Sequence, residues 1–264
     1  MIDLLFAAAS TAALFQPTSK WLVNFDDSQC VAQREYGTAE KPLTLMLKTP
    51  VSGDVVQLAL VVDDTGSAEA RQIYGRVAWG SGKGLVTTIL TYRGGRANRR
   101  LYLVNLPKAQ VIEAAASDRL TVSAGKDLQH SFVLSNLATV IGTMDKCVSD
   151  LGSYWNYVER SPDAPPAPDD PKPEQQFASL FTTEDYPMQA IEENGSGIVS
   201  AILLIDADGR VADCTLTKTS GVAALDSQTC AVFKTRARYQ PAKGPDGRPR
   251  RSFNKVRVRW ELPL

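Results

Sequence analysis

The sequence predicts an α+β protein: an N-terminal mainly-β domain closed by one C-terminal helix, followed by a small αββαβ domain. Three observations support this prediction. Short apolar runs separated by turn residues recur about every ten residues in the first half of the chain, as in β-sandwiches and barrels. One segment of helical periodicity follows them. A proline-rich segment then separates this region from a second one, where helix and strand signals alternate.

The domain boundaries follow from these signals. We assign residues 1–19 to a signal peptide, 20–158 to the N-terminal domain, 159–176 to a linker and 177–264 to the C-terminal domain. The linker segment SPDAPPAPDDPKPEQQ carries six prolines, which disfavour helices and sheet ladders, and three aspartates that keep it solvated. It is therefore predicted to be an extended spacer that holds the two domains apart.

Six runs in the N-terminal domain have strand character, and turn clusters such as SGD and DDTGS separate them. The runs cover residues 30–36, 43–48, 55–62, 71–79, 85–92 and 99–106. The closing helix is predicted from apolar residues at steps of three and four, with Ser135 as its N-cap. These residues are Leu137, Ile141, Met144, Val148, Leu151 and Trp155.

Charge and histidine content exclude several classes of function. Lys+Arg 29 and Asp+Glu 29 give a formal net charge of zero, so no whole-chain field attracts nucleic acid or anionic lipid. His130 is the single histidine, whereas catalytic triads and histidine-based zinc sites need at least one well-placed imidazole. It precedes an apolar run and belongs to no ligand motif. We therefore predict no metal, no cofactor and no nucleic-acid partner.

The N-terminus predicts export. Its apolar run of about fourteen residues ends near Phe15, and a membrane-spanning helix needs about 20. The length suits the apolar region of a secretory signal, with Thr11, Ala12 and Ala13 as small residues for cleavage. Asp3 and the lack of Lys or Arg are atypical of such a signal. The expected location is the periplasm, with inner-membrane anchoring only if the natural start lies upstream.

The C-terminal region has a more specific pattern. Pro187 follows two acidic residues at the start of a short helix that ends at Gly195. Alternating apolar residues on both sides of the turn ADGR predict a hairpin. A helix with Asp226 near its start comes next. The last strand places four apolar residues on one face and four charged residues on the other. They are Val256, Val258, Trp260 and Leu262, opposite Lys255, Arg257, Arg259 and Glu261.

Five motifs of this region occur in the order found in one family. They are YPMQAI, GIV…IDADGRV, TSGVAALD, RARYQPA and the closing VRVRW. Together they resemble the C-terminal domain of TonB-family proteins over residues 181–264. The positions that carry the motifs are Tyr186, Pro187, Gly209, Gly221, Leu225, Asp226 and Pro241. The resemblance implies a compact α+β domain in the periplasm of Gram-negative cells.

The resemblance also implies a partner. In TonB energy transducers the final strand of this domain lends its edge to a short peptide of an outer-membrane transporter, and main-chain hydrogen bonds supply the affinity. The matching strand covers residues 252–261. Its partner-binding residues would be Phe253, Lys255, Arg257, Arg259 and Trp260. The same charges equally suit a guard against edge-to-edge aggregation.

Transducers of this family carry an N-terminal transmembrane helix, which the short apolar start does not supply. We therefore predict an exported TonB-like protein, for which energy transduction is expected only if the natural start lies upstream. It would bind an envelope or outer-membrane protein, such as a TonB-dependent transporter, by strand addition. A structural or assembly protein of the envelope is the alternative.

The four cysteines divide evenly between the two domains, which suits two internal disulfides. Zinc would need further ligands, and redox chemistry would favour a CxxC motif. In the TonB-like layout, Cys214 on the second strand of the hairpin packs against Cys230 in the following helix. We predict the pairs Cys214–Cys230 and Cys30–Cys147. Buried free thiols remain the alternative.

An enzyme in the N-terminal domain is the rival hypothesis. Its candidate carboxylates are Asp26, Asp27, Asp63 and Asp64. Adjacent residues of a strand point to opposite faces, which is poor geometry for an acid–base pair. The stretch GSGKG lacks the remaining residues of a phosphate-binding loop, and RGGRANRR is typical of a solvated hairpin tip. We therefore predict no catalytic residue and no enzyme.

Overall fold

The computed structural model describes residues 13–63, 71–94, 98–125, 128–160, 167 and 170–262. Ten strands form one N-terminal sheet, and two helices accompany it. The strands are β1 (Ala13–Phe15), β2 (Leu22–Phe25), β3 (Gln29–Gly37), β4 (Pro42–Pro50), β5 (Val55–Asp63), β6 (Arg71–Trp79), β7 (Leu85–Gly94), β8 (Arg99–Pro107), β9 (Arg119–Ala124) and β10 (Leu128–Val133). The helices are α1 (Lys108–Ala114) and α2 (Leu137–Trp155).

The ten-stranded sheet curls until its two ends meet. Its order is β1-β10-β9-β6-β7-β8-β5-β4-β3-β2, and neighbours are antiparallel except for the parallel pair β1 and β10. Pro17, just after β1, makes an isolated bridge with Tyr36 of β3. The Tyr36 hydroxyl donates to the carbonyl oxygen of Val133, 2.9 Å away. The domain is thus barrel-like, one of the two architectures that the strand spacing predicted.

Alternation along the strands produces the core. In β3 and β8 buried and half-buried residues alternate, so one face of each strand lies inside the curl. The interior contains aliphatic residues of most strands around the fully buried Phe132. All six predicted strands are present as β3 to β8.

Helix α2 covers one side of the sheet, where it packs mainly against β3. Its buried residues are Leu137, Val140, Met144, Cys147, Leu151 and Trp155. The disulfide Cys30–Cys147 joins α2 to β3, as predicted. The predicted N-cap is wrong, because Asn136 takes that position without a side-chain cap hydrogen bond. Ser135 instead accepts hydrogen bonds from the buried Arg34.

The described fold begins before the predicted domain boundary at residue 20. Phe15 of β1 stacks on His130, with 5.0 Å between ring centroids. Arg34 donates to the carbonyl oxygen of Ser19 at 2.9 Å. Residues 13–19, which sequence analysis assigned to the signal peptide, therefore belong to the folded N-terminal region, with residues 13–15 as a strand of its sheet. The remainder of that predicted segment lies outside the described residues.

The C-terminal region has the predicted helix, strand, strand, helix, strand order, with short additions. Its elements are β11 (Lys172–Pro173), α3 (Phe177–Leu180), a 3₁₀ turn (Thr183–Asp185), α4 (Met188–Glu192), β12 (Gly197–Ile205), β13 (Val211–Lys218), α5 (Ala223–Arg236), β14 (Tyr239–Gln240), β15 (Ala242–Lys243), β16 (Pro249–Arg250) and β17 (Ser252–Trp260). Three long strands form a sheet in the order β13-β12-β17, and α5 packs on one of its faces.

The other face of this sheet packs against the N-terminal region. Ile202 and Leu204 of β12 are each 2 % exposed and lie in one cluster with Leu151 and Trp155 of α2. The Asn156 side chain, at the end of α2, donates to the carbonyl oxygen of Arg251 at 2.9 Å. The two regions therefore touch directly, although the linker was expected to hold them apart.

The end of the predicted linker is ordered by pairing. Lys172 and Pro173 form β11 and pair antiparallel with β14. Arg160 binds Asp170 with 2.7 Å between the charged atoms. Proline did not prevent this pairing because a two-residue strand at an edge needs few main-chain donors. Within the described part of the chain, no helix combines the length and apolarity needed to cross a membrane.

Candidate functional site: an open edge strand

The candidate site is the outer edge of β17. This strand pairs antiparallel with β12 from Trp260 opposite Gly197 to Ser252 opposite Ile205. On its other side no described strand pairs with it. The edge is nine residues long and, unlike β13, has no register shift in its pairing. A regular edge of this length can accept an added strand.

The inner face of β17 is firmly anchored. Val256 and Trp260 are 6 % and 5 % exposed. Trp260 donates from Nε1 to Oγ1 of Thr229 in α5, 2.9 Å away. The rings of Phe181 and Tyr186 contact the indole edge to face, at centroid distances of 5.3 and 5.5 Å. Trp260 is thus an internal anchor rather than a residue that a partner would touch.

The outer face of β17 is basic. Lys255 binds Glu159 with 2.6 Å between the charged atoms, and Arg259 lies 3.5 Å from Glu261. Arg257 is exposed and makes no side-chain hydrogen bond or ion pair with a described residue. The middle of the edge strand therefore presents one uncompensated positive charge.

Phe253 occupies a different position from the one expected. Its ring packs on Tyr157 with 4.5 Å between centroids, within the cluster that joins the two regions. Phe253 therefore helps to hold the N-terminal region against the sheet. Sequence analysis missed both partners. Tyr157 lies at the end of the predicted N-terminal domain and Glu159 is the first residue of the predicted linker, and a contact 96 positions away leaves no local signal.

The motif residues shape the turns behind the sheet. Gly209 has φ +80°, and a Cβ there would collide with the carbonyl oxygen of Tyr239. Gly221 has φ +95°. Leu225 is fully buried, Pro187 precedes α4, and Pro241 lies between β14 and β15. These residues support the edge strand from within rather than lining it.

Asp226 ties the TSG turn to the start of α5. Its Oδ1 accepts hydrogen bonds from the main-chain N–H and the hydroxyl of Ser220, at 2.7 and 2.8 Å. The side chain is 1 % exposed, and Oδ2 has no hydrogen-bond partner in the described structure. Burial raises the pKa of this carboxyl above its usual value, although the Ser220 hydrogen bonds oppose the shift.

A second carboxylate fixes the region in front of α4. Asp185 receives two hydrogen bonds from the Arg236 guanidinium, at 2.6 and 2.7 Å, and one from the main-chain N–H of Thr182. These contacts, those of Arg236 first, lower the pKa of Asp185 to about 2. Sequence analysis took Asp185 only as an acidic residue at a helix start, because a partner 51 positions away leaves no local signal.

The disulfide Cys214–Cys230 is present and joins β13 to α5, as predicted. No free cysteine occurs in the described chain. The two cysteines of each region therefore form a disulfide, and the alternative of buried free thiols is wrong.

The described carboxylates of the rival enzyme hypothesis have separate partners. Asp63 pairs with Arg99 at 3.4 Å, Asp26 accepts from the main-chain N–H of Asp27, and Asp64 lies outside the described residues. Part of the basic tip between β7 and β8 also lies outside them. The described residues include no group of three or more metal-ligating side chains.

The C-terminal region is therefore a small α+β domain, and its final strand has an open edge with a basic face. Residues 183–262 match the family model described as Gram-negative bacterial TonB protein C-terminal. This match confirms the resemblance seen in the motifs. A comparison with curated proteins gives no match to the chain.

Proposed function

We propose that this protein is an exported, periplasmic TonB-like binding protein. Its C-terminal domain contacts an outer-membrane or other envelope protein, such as a TonB-dependent transporter, by adding a strand of the partner to β17. The family match supports a TonB-like role at the envelope. The regular edge of β17, with which no further described strand pairs, supports binding by strand addition.

The charges of β17 support a partner strand with acidic character. Opposite charges on directly facing cross-strand residues stabilise a pair, whereas like charges destabilise it. Arg257 is exposed and has no described partner. An acidic residue of the partner strand would therefore bind most favourably opposite Arg257. Lys255 already has Glu159, and a partner residue there would compete with that contact.

The N-terminal region supports a role in presenting the C-terminal domain to its partner. Between residues 13 and 160 the described segments form the ten-stranded sheet and the helices α1 and α2. Packing of α2 against β12 would hold the N-terminal region to the sheet and leave the β17 edge open to a partner. The proposed function is therefore partner binding in envelope transport, with no catalytic step assigned to either region.

Site-specific photocrosslinking in the native host tests the edge. A photoreactive amino acid at Arg257 should capture one outer-membrane or periplasmic protein, which mass spectrometry identifies. The same amino acid at Ala212, which is exposed on the opposite edge strand β13, is the matched control and should capture much less. Equal capture at both positions, or none at Arg257, would argue strongly against strand addition at β17.

Salt washing separates a transient partner from a permanent one. A contact supported by Arg257 should weaken as ionic strength rises, because exposed charges are screened. Co-purification that persists in high salt would instead favour the structural or assembly role.

A further inference from the structure

A second candidate site lies between the two regions, away from β17. A cleft of about 590 Å³ separates the outward face of β5 to β8 from β13 and the start of α5. Ile202 and Leu204 of β12 fill the space between the C-terminal sheet and the N-terminal region. Next to β13 the same two surfaces are not in contact, which leaves the cleft. Its volume falls within the range of about 300–1,000 Å³ typical of ligand sites.

The walls of the cleft offer hydrogen-bonding groups with no internal partner. Gln72 of β6, Thr88 of β7 and Thr215 of β13 line it, and none makes a side-chain hydrogen bond with a described residue. Gln57 and Asn105 lie beside them and bond to each other at 3.2 Å. Amide and hydroxyl groups can both donate and accept. The cleft therefore suits a ligand with many groups that both donate and accept hydrogen bonds.

An apolar strip runs beside these polar groups. Leu90 and Leu103 face each other across β7 and β8, and Tyr92 follows on the same face of β7. All three are partly exposed. The surface thus combines an apolar platform with an uncharged polar row, which matches a ligand that has apolar faces and polar edges.

Charge plays a small part in the cleft. Asp213 is bound by Lys234 at 3.1 Å, and Asp226 is 1 % exposed. Lys218 is the one cation among the described residues that line the cleft. A charged ligand would find little compensation here, so the ligand should be neutral.

The edge of β13 is poorly suited to an added strand. Register shifts in its pairing with β12 leave Ala212 and Thr217 without a direct partner residue. Such bulges disrupt an edge and oppose strand addition. The irregular edge and the side-chain chemistry therefore favour a carbohydrate over a peptide.

We propose that this cleft binds a neutral oligosaccharide. The sugar hydroxyls would bond to the side chains of Gln72, Thr88 and Thr215, and the apolar ring faces would lie on Leu90, Leu103 and Tyr92. The site uses no residue of the β17 edge, so it stands independently of partner binding there.

Isothermal titration calorimetry of the full oxidised chain tests this site with two neutral probes, chitotetraose and cellotetraose, which differ in their acetamido groups. At least one should bind saturably. Thr215→Val keeps the side-chain volume but removes the hydroxyl, and Gln72→Met removes the amide. Each should weaken binding by about fivefold to tenfold, the effect expected of one lost uncharged hydrogen bond.

Gln33→Met is the matched control, because Gln33 is partly exposed on β3 and does not line the cleft. It should leave the affinity unchanged, and the thermal midpoint of each variant shows whether it is folded. The proposal is wrong if neither tetrasaccharide saturates at millimolar concentration, or if both cleft variants bind as the parent does. Binding of an uncharged Thr-Val repeat hexapeptide but neither sugar would also overturn it.

Discussion

Two carboxylates of the C-terminal region show how neighbouring groups decide the role of a residue. Asp185 and Asp226 are both nearly inaccessible to solvent. Asp185 has the Arg236 guanidinium, which lowers its pKa, whereas Asp226 has only neutral donors, so burial raises its pKa. Asp185 therefore stabilises the fold as an anion, and Asp226 acts mainly as a hydrogen-bond acceptor for Ser220.

The Asp185 contact should make stability depend on acid pH. The folded pKa of about 2 lies below the unfolded value of about 3.9. Its contribution is therefore present above about pH 4 and is lost as the pH falls towards 2. Asp185→Asn should lower the free energy of unfolding by about 1–2 kcal/mol at pH 7. The effect is moderate because Arg236 is half-exposed. Urea unfolding at several pH values measures it. A loss of the same size at pH 2 would contradict the assignment.

The two motif glycines should differ in their tolerance of a side chain. Both have positive φ, which costs an alanine about 1 kcal/mol. At Gly209 a Cβ would also meet the Tyr239 carbonyl, whereas at Gly221 nothing lies within 4 Å. Gly209→Ala should therefore lower the free energy of unfolding by more than about 2 kcal/mol, and Gly221→Ala should lower it by about 1 kcal/mol. Chemical denaturation compares the two, and equal losses would refute the role of the Tyr239 contact.

At the scale of elements, strand β12 determines how the C-terminal domain is packed. Val199, Ala201, Leu203 and Ile205 are the alternating apolar residues before the ADGR turn, and they are buried on the α5 side. The run AILLI also contains Ile202 and Leu204, which point to the other side and contact α2. A continuous apolar run is typical of a strand covered on both faces. The run AILLI therefore indicates that β12 is covered on both faces.

The disulfide between β13 and α5 should stabilise the domain measurably. Chain-entropy estimates give about 3 kcal/mol for a loop of about 15 residues, and Cys214 and Cys230 are separated by 16 positions. Cys214→Ser should therefore lower the melting temperature of oxidised protein. In reducing buffer the variant and the parent should melt together, since neither then has the bond. A difference that persists after reduction would point to packing instead.

At the scale of the whole molecule, the two regions share one interface. The Cys30–Cys147 disulfide fastens α2 to β3, and the following turns of α2 contact β12. Tyr157 and Glu159 extend the contact to β17. The proposed edge site on β17 and the proposed cleft beside β13 therefore lie on opposite edges of the sheet that makes this interface.

Polar substitutions at this junction should separate the regions without unfolding them. In Ile202→Ser/Leu204→Ser the face of β12 towards α5 is unchanged, so the C-terminal core is retained. The radius of gyration from small-angle X-ray scattering should rise, and the segment after α2 should become sensitive to protease. Ser200→Ala, on the same strand, is the control and should change neither. An unchanged radius of gyration in the double variant would show that the junction does not depend on these contacts.

The even division of the four cysteines favoured the two disulfide pairs but left free thiols open as the alternative. The sequence by itself determined six strands of the N-terminal sheet, the order of the main C-terminal elements and the relationship of the last third to TonB C-terminal domains. These depend on local periodicity, turn residues and short motifs, all of which adjacent residues encode. The tertiary structure decided that β1 belongs to the sheet, that Asp185 binds Arg236, that the linker ends in a paired strand and that α2 covers β12. Each of these contacts joins segments that are far apart in the chain. Their stability depends on packing and burial in the folded state, so no local sequence pattern indicates them.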